Sequence, residues 1–205
     1  MRAWADHSLY VGDSPLIGTF NASRGFAITF TRDGMPALAE RFAELWPYFE
    51  LTVERTLALT TLSERLRIRY RRRCARGYYF NLLSVPAGAG VGRHVDATLD
   101  WVTGVKGTTP LLVSVLYLNA PPGGSLNLWQ GDAKVASITP EAGSLVCFRG
   151  DLGHGVDAVD ARAAEPRVSL VCEHYAFTDS QIAQMAPMKV RSLGLFERVL
   201  QKKRG

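Results

Sequence analysis

At residues 110–119 the chain reads PLLVSVLYLN, a run of leucine, valine and tyrosine with the length and composition of a buried β-strand. Similar short runs lie on both sides of it, separated by glycine and proline turns. They are YYFNLLSV at 78–85, GGSLNLWQ at 123–130, KVASITP at 134–140, GSLVCF at 143–148 and RVSLVCEHYAF at 167–177. Many short strands joined by turns, with no helical pattern between them, predict an antiparallel sandwich or barrel.

Helical patterns flank this β region. Apolar residues recur at spacings of three and four over residues 35–49, which predicts an amphipathic helix that ends near Trp46, before Pro47. A second helix is predicted over 54–62, and a helical tail from Ser180 onward. The strand GFAITF at 25–30 precedes the first helix.

The fold class is therefore α+β and mainly β. The length of 205 residues predicts one domain over 1–205. Its parts are an N-terminal helix and strand support at 1–75, a β core at 76–178 and a helical tail at 179–205.

The composition is that of a globular protein. Hydrophobic residues make up 47% and charged residues 21% of the chain, which argues against disorder. The three cysteines form no CxxC pair, so a disulfide framework is not expected and a reducing, cytoplasmic location is. No apolar run reaches the length of a membrane span, and no secretory leader is visible after Met1.

The net charge is +5, and 19 of the 24 basic residues are arginine. Several of them crowd into residues 65–76, where RLRIRYR at 65–71 alternates apolar and basic residues and predicts a strand. Three interpretations stay open: a solvated edge strand, recognition of a carboxylate or phosphate on the substrate, and nucleic-acid contact. The last is disfavoured because the aromatic interleaving of single-strand binders is missing.

Histidine and aspartate supply the candidate chemistry. His94 and Asp96 are two residues apart and share one face of an extended segment. With His154 from a distant strand they would form the facial 2-His-1-carboxylate set of non-haem Fe(II) oxygenases. Taken singly, each histidine reads equally as a turn residue, and His7 and His174 are expected to be structural or solvated.

The order of the features is more specific than any one of them. After the His-x-Asp come YLN at 117–119, a Gly-Gly turn at 123–124, the pattern P..G.L..F at 140–148, His154, and Arg167 at the start of an apolar strand. Over about 79–177 the sequence resembles the Fe(II)- and 2-oxoglutarate-dependent oxygenases, in their prolyl-hydroxylase-like branch.

The resemblance implies a double-stranded β-helix, which is a jelly-roll variant. It implies that His94, Asp96 and His154 bind Fe(II), and that 2-oxoglutarate and O2 are cosubstrates. The carboxylate of 2-oxoglutarate that lies far from the iron would bind Arg167, since a buried dianion needs a fixed cation.

Further contacts to 2-oxoglutarate are expected from Tyr117 and Ser169. A tyrosine that the family often carries is replaced near Ser84, and Tyr79 or Asn81 is expected to substitute for it. Arg162, in an Ala/Asp/Glu-rich loop, competes with Arg167 for the carboxylate.

The resemblance implies a hydroxylase that oxidises an unactivated C–H bond and releases succinate and CO2. Its expected substrate is a small molecule, an amino acid or natural-product intermediate, possibly anionic in view of the arginines, with neither a membrane nor nucleic acid as partner. Candidate substrate contacts are Trp101, in a lid loop over 97–110, Trp129 and Arg149. The alternatives are a peptidyl, prolyl-type hydroxylase and a non-catalytic jelly-roll module that binds a metal or ligand.

Overall fold

The computed structural model describes residues 12–13, 24–54, 62–100, 104 and 106–191, and within them the chain forms two antiparallel β-sheets. The strands are β1 (Gly12–Asp13), β2 (Arg24–Thr31), β3 (Gly77–Val85), β4 (Val91–His94), β5 (Leu112–Tyr117), β6 (Leu126–Gln130), β7 (Ala133–Ile138), β8 (Leu145–Phe148), β9 (Gly153–Val156), β10 (Arg167–Tyr175) and β11 (Met188–Arg191). The α-helices are α1 (Met35–Arg41), α2 (Trp46–Phe49), α3 (Leu62–Cys74) and α4 (Asp179–Ile182).

The larger sheet has the order β1-β2-β3-β10-β5-β8, and β11 also pairs with β2. Its central strand is β10, whose side chains alternate between two environments. Val168, Leu170 and Cys172 belong to the main hydrophobic core on one face. The alternate residues of β10, from Arg167 to Glu173, line a cavity on the other face.

The N-terminal helices cover the core face of the larger sheet. Leu38 of α1 and Phe49 of α2 are fully buried there, and the Phe49 ring lies edge-on to Phe80 of β3 at 4.9 Å between centroids. The predicted single helix over 35–49 is broken, because Phe42 leaves helical geometry at φ −132° and ψ 49°. A second helix then begins at Trp46, with Pro47 in its first turn, where proline is well tolerated.

The smaller sheet has the order β4-β9-β6-β7 and faces the inner side of the larger one. Residues of both sheets line the cavity between them, whose empty volume is about 600 Å³ including the part open to solvent. The predicted jelly roll is confirmed by these two antiparallel sheets with few helices.

Two predicted elements are wrong. The arginine-rich segment forms the helix α3 instead of a strand, with Leu66 56% exposed and Tyr70 68% exposed. The tail helix predicted from Ser180 ends at Ile182, and Met188–Arg191 returns to the larger sheet as an edge strand beside β2.

Other predicted features fall partly outside the described residues. Residues 55–61 of the second predicted helix, His7 and the tail beyond 191 lie outside them, and the division of the chain at 75 and 178 stays a prediction. No helix among the described residues is long and apolar enough to cross a membrane.

Candidate active site

Two imidazoles and one carboxylate meet at the edge of the smaller sheet. His94 is the last residue of β4 and pairs with His154 of β9, while Asp96 follows two residues after His94. The two Asp96 carboxylate oxygens each lie 3.4 Å from a histidine, one from Nε2 of His94 and the other from Nε2 of His154. The ligand atoms of all three lie within 4.8 Å of one another, close enough to hold one metal ion. We call these three residues the triad.

Backbone carbonyls orient both imidazoles of the triad. Nδ1 of His94 lies 2.8 Å from the Gly92 carbonyl oxygen, and Nδ1 of His154 lies 3.2 Å from that of Leu152. A carbonyl only accepts, so each Nδ1 carries a proton, and each Nε2, on the side of Asp96, is the ring nitrogen available to a metal ion when the imidazole is neutral. Metal-binding histidines usually bind the metal through one ring nitrogen and donate the N–H of the other to a carbonyl or carboxylate.

The two imidazoles differ in their affinity for protons. Burial alone would lower the pKa of His94, but the hydrogen bond and charge of Asp96, with the Gly92 carbonyl, raise it above its ordinary value. Burial lowers the pKa of His154, which the charge of Asp96 only partly offsets. His154 is therefore the more readily neutral ligand of the triad.

Arg167 points into the same cavity from the first position of β10. It is 2% exposed, and burial lowers its pKa, although a guanidinium keeps its charge in proteins. Its Nη1 donates to the Gly124 carbonyl oxygen at 3.2 Å, and the group lies 5.6 Å from the centroid of the Tyr117 ring. Among the described residues no carboxylate pairs with it, and its Nε lacks a hydrogen-bond partner.

Tyr117 and Ser169 complete this corner. They are cross-strand neighbours on β5 and β10, and both side chains are fully buried and line the cavity. Neither hydroxyl has a hydrogen-bond partner within the part of the chain that the structure describes. Burial raises the pKa of Tyr117, so its hydroxyl is a donor at neutral pH. We call Tyr117, Arg167 and Ser169 the carboxylate clamp.

The YLN sequence positions the clamp. Nδ2 of Asn119 donates to the Pro166 carbonyl oxygen at 2.9 Å, and its Oδ1 accepts from the Val168 N–H at 2.7 Å. One buried amide therefore holds the residues on both sides of Arg167. The glycine turn allows the close approach, since a Cβ on Gly124 would lie 3.1 Å from Arg167 Cδ.

The segment that carries the triad and the clamp matches a known protein family. Residues 80–172 match the family described as the 2OG-Fe(II) oxygenase superfamily. These 93 residues, a little under half of the chain, are similar to a 2OG-Fe(II) oxygenase domain. The matched residues carry the triad and the clamp together. Members of the superfamily use Fe(II), 2-oxoglutarate and O2, so the predicted dioxygenase and its cofactors are confirmed at the level of the family.

Solved structures similar to the chain include a prolyl-4-hydroxylase from Pseudomonas putida, 20% identical, covering 74% of this chain and 93% of that one at a TM-score of 0.41. A prolyl hydroxylase from Trichoplax adhaerens, in complex with a peptide fragment of hypoxia inducible factor, is 16% identical over 78% and 87% of the two chains at 0.43. A 2OG-Fe(II) oxygenase family oxidoreductase from Burkholderia pseudomallei is 20% identical at 0.39, and this chain, half of which is matched, spans 45% of its length. No curated protein sequence matches the chain.

The residues of the matched segment fit the cofactors that the 2OG-Fe(II) oxygenases use. Two imidazole nitrogens and a carboxylate oxygen form the donor set that suits Fe(II) with adjacent positions left open. An unpaired buried guanidinium beside two unpartnered hydroxyls suits a carboxylate, which accepts several hydrogen bonds and neutralises the charge. Both halves of the site line one cavity.

Other residues predicted for 2-oxoglutarate lie farther along the oxygenase strands. Asn81 lines the cavity at the level of Val171, one step beyond the clamp. Tyr79 is buried at the level of Glu173, six residues along β10 from Arg167, in a separate apolar cluster, and its contact with 2-oxoglutarate stays a prediction. Arg162 lies exposed in the turn after Asp160, away from the cavity lining.

The structure moves two predicted substrate residues away from the cavity. Trp129 lies on the outer side of the smaller sheet, with Arg93 and Lys134 5.3 and 5.5 Å from its ring centroid. Leu126 and Leu128 face inward, so alternation along β6 places Trp129 on the outer face. Arg149 is half-exposed and pairs through two nitrogens with the Asp151 carboxylate. Trp101 lies outside the described residues.

Histidine placement follows the expectation for His174. This residue is fully buried on the core face of β10, where its Nε2 lies 3.2 Å from Ser114 Oγ and its ring lies edge-on to Tyr78. It is turned away from the triad, because it stands at an alternate position to the cavity residues of β10.

Sequence reasoning missed Glu173. It lines the cavity at 4% exposure, and its carboxylate accepts from the hydroxyls of Thr98, at 2.9 Å, and Tyr175. Burial and then the charge of Asp96 raise its pKa well above the ordinary value, against the two hydroxyls. Its position at alternation with Arg167 and Ser169 was the signal that could have found it.

Proposed function

We propose that this chain is an Fe(II)- and 2-oxoglutarate-dependent oxygenase that hydroxylates an unactivated C–H bond of a small molecule. One observation carries the proposal. The triad and the carboxylate clamp, on different strands, line a single cavity and offer the donors that a metal ion and a dicarboxylate need.

Each group has one task in this proposal. Bound Fe(II) and 2-oxoglutarate would supply the oxidising chemistry, for which amino-acid side chains have no equivalent. The triad would hold the metal. Arg167 would bind the far carboxylate, and the Tyr117 and Ser169 hydroxyls would donate to its oxygens. The apolar side chains of the cavity wall would exclude water from the reacting centre.

The residues that follow the triad, together with the cavity, favour a small substrate over a peptide. Asp100 accepts hydrogen bonds from the N–H groups of Gly107, at 2.5 Å, and Thr108, at 3.0 Å, which hold these three residues together. Thr98, two residues before Asp100, reaches into the cavity and hydrogen-bonds Glu173. A peptide substrate needs an open groove, whereas a cavity between the two sheets favours a compact molecule.

The proposal is tested by mixing the protein with Fe(II) and 2-oxoglutarate without oxygen. A visible charge-transfer band is expected, and it should be lost in His94→Ala, Asp96→Ala and His154→Ala, because each removes one of three metal ligands. The matched control is His174→Gln, which changes a histidine outside the cavity and should keep the band.

Absence of the band in the wild-type protein would contradict the proposal and leave a non-catalytic binding module. A band that survives loss of His154 but not of His174 would overturn the ligand assignment. Substrate class is tested by succinate release in oxygen with panels of small molecules and of short peptides. Stimulation by peptides alone would favour the peptidyl hydroxylase.

A further inference from the structure

Glu173 is a carboxylate on the cavity wall without a cation. Its residue is 4% exposed, and no lysine or arginine among the described residues lies within ion-pair distance of its carboxylate. A buried carboxylate costs free energy unless it is paired or neutralised. Neither the triad nor the clamp uses it.

Two hydroxyls fix the orientation of this carboxylate. Thr98 donates to its Oε1 and Tyr175 to its Oε2, so both oxygens act as acceptors. Each carboxylate oxygen has a second lone pair, and the group lines the cavity. The remaining lone pairs of the two oxygens can accept hydrogen bonds from a ligand that carries N–H or O–H groups.

Asn81 offers a second acceptor on the neighbouring strand. It pairs with Val171, and Glu173 follows Val171 by two residues on the same face of β10. Such diagonal neighbours lie about 7–8 Å apart. Asn81 is 3% exposed, and its Oδ1 has no hydrogen-bond partner within the described part of the chain. We call Asn81 and Glu173 the acceptor pair.

We propose that the acceptor pair binds a protonated amine of the substrate, which sets the substrate class of the oxygenase. This inference rests on the proposed function. An ammonium group brings three N–H donors and one positive charge, enough to reach both acceptors and to pair Glu173. The clamp holds the anionic cosubstrate at one end of β10, and the acceptor pair takes the cation toward the other. Because Thr98, two residues after Asp96, donates to Glu173 at 2.9 Å, the amine would lie close to the triad.

The test uses L-amino acids with uncharged side chains and n-alkylamines, each beside its N-acetyl derivative. Succinate release is measured for every compound, together with the change that the compound causes in the anaerobic Fe(II)–2-oxoglutarate band. Free amines are expected to act at concentrations at least about tenfold lower than their N-acetyl forms, since a charge-assisted hydrogen bond is lost on acetylation.

Glu173→Gln keeps the shape and one acceptor but removes the charge, so it should abolish this preference. Asn81→Ala and Thr98→Val should weaken it without unfolding the site, because they remove one acceptor and one orienting hydroxyl. The matched control is Glu141→Gln, the same chemical change on an exposed turn, which should leave the preference intact.

The outcomes separate this inference from the function beneath it. No band in the wild-type protein is a failure of the proposed function. A normal band with N-acetyl compounds as effective as amines, or with no active amine, overturns the acceptor pair alone. So does a preference that survives Glu173→Gln. If Asn81→Ala weakens 2-oxoglutarate binding as much as Arg167→Ala does, the pair belongs to the cosubstrate and the inference is wrong.

Discussion

Arg167 is a charged group that the fold buries without a protein carboxylate among the described residues, and only the Gly124 carbonyl accepts from it. A buried charge is tolerated when a partner compensates it, and the superfamily supplies one in 2-oxoglutarate. Under the proposed function, 2-oxoglutarate bound at Arg167 would stabilise the fold as well as serve turnover. Substitution of Arg167 therefore tests the predicted binding of 2-oxoglutarate directly.

Arg167→Ala should raise the 2-oxoglutarate concentration needed for half of the charge-transfer band by about 100-fold or more, because a desolvated carboxylate then loses its charged partner. The expected loss is of the order of several kcal/mol. Arg162→Ala serves as the control and should have little effect, since that side chain is exposed. The reverse ranking would place the cosubstrate at Arg162.

Residue identity alone predicted part of this site. Local alternation predicted that His94 and Asp96 share one face, whereas His154 and Arg167 were predicted from the order of the features and the resemblance to the oxygenase family. Glu173 obeys the same alternation, but a glutamate in an apolar strand gives no sign of which cation it awaits. The sequence could not place Tyr79 relative to Arg167 either, because the distance between them depends on the pairing of β3 with β10.

Among the elements, the glycine turn before β6 decides how closely the smaller sheet approaches Arg167. Gly124 has φ +68°, a conformation that favours glycine, and a Cβ there would lie 3.1 Å from Arg167 Cδ and 3.3 Å from Val159 Cγ2. Gly131, in the next turn, has φ +55° and open space around it. The two positions share a backbone requirement and differ in what they touch.

Gly124→Ala should weaken 2-oxoglutarate binding and lower stability, because the added methyl group displaces the guanidinium in addition to straining the backbone. Gly131→Ala should cost only the backbone strain, about 1 kcal/mol, and leave the cosubstrate affinity unchanged. Denaturant titration and the band measured on both variants separate the two effects. Equal 2-oxoglutarate affinities would show that the turn does not position Arg167.

The arginine-rich segment shows why an element can be misread. Its apolar and basic residues alternate over 65–71, as a half-buried strand requires, yet Leu66 and Tyr70 are largely exposed on α3. Alternation predicts a strand only where one face is buried, and leucine and arginine are both strong helix formers. Arg71 ties the helix to the loop before β5 through the Leu111 carbonyl oxygen at 3.1 Å.

At the scale of the whole molecule, the larger sheet separates stability from chemistry. One face packs against the N-terminal helices in the main core, and the other carries the clamp and the acceptor pair. This arrangement needs long-range pairing of β3, β10 and β5, which no local pattern encodes. The sequence could therefore predict the strands and the jelly roll, but not which strand meets which, nor the return of β11.

The cost of an unpaired carboxylate in that cavity should appear in the stability of the metal-free protein. Burial and Asp96 raise the folded-state pKa of Glu173, so the folded protein holds this proton more tightly than the unfolded chain. Below the ordinary glutamate pKa of about 4.3 both states are protonated and nothing is lost. As the pH rises above it, only the unfolded chain releases the proton, and folding is penalised by up to about 1.4 kcal/mol per pH unit until the folded pKa is reached.

Glu173→Gln cannot ionise, so its Tm should exceed that of the wild-type protein by a margin that widens from pH 5 to 8. Thermal unfolding of both proteins across that range measures the margin. The titrating groups that do not interact with Glu173 are common to both proteins, and their contributions cancel in the difference. A constant margin would mean that Glu173 is already charged and paired in the folded protein, and its carboxylate would then not be waiting for a substrate amine.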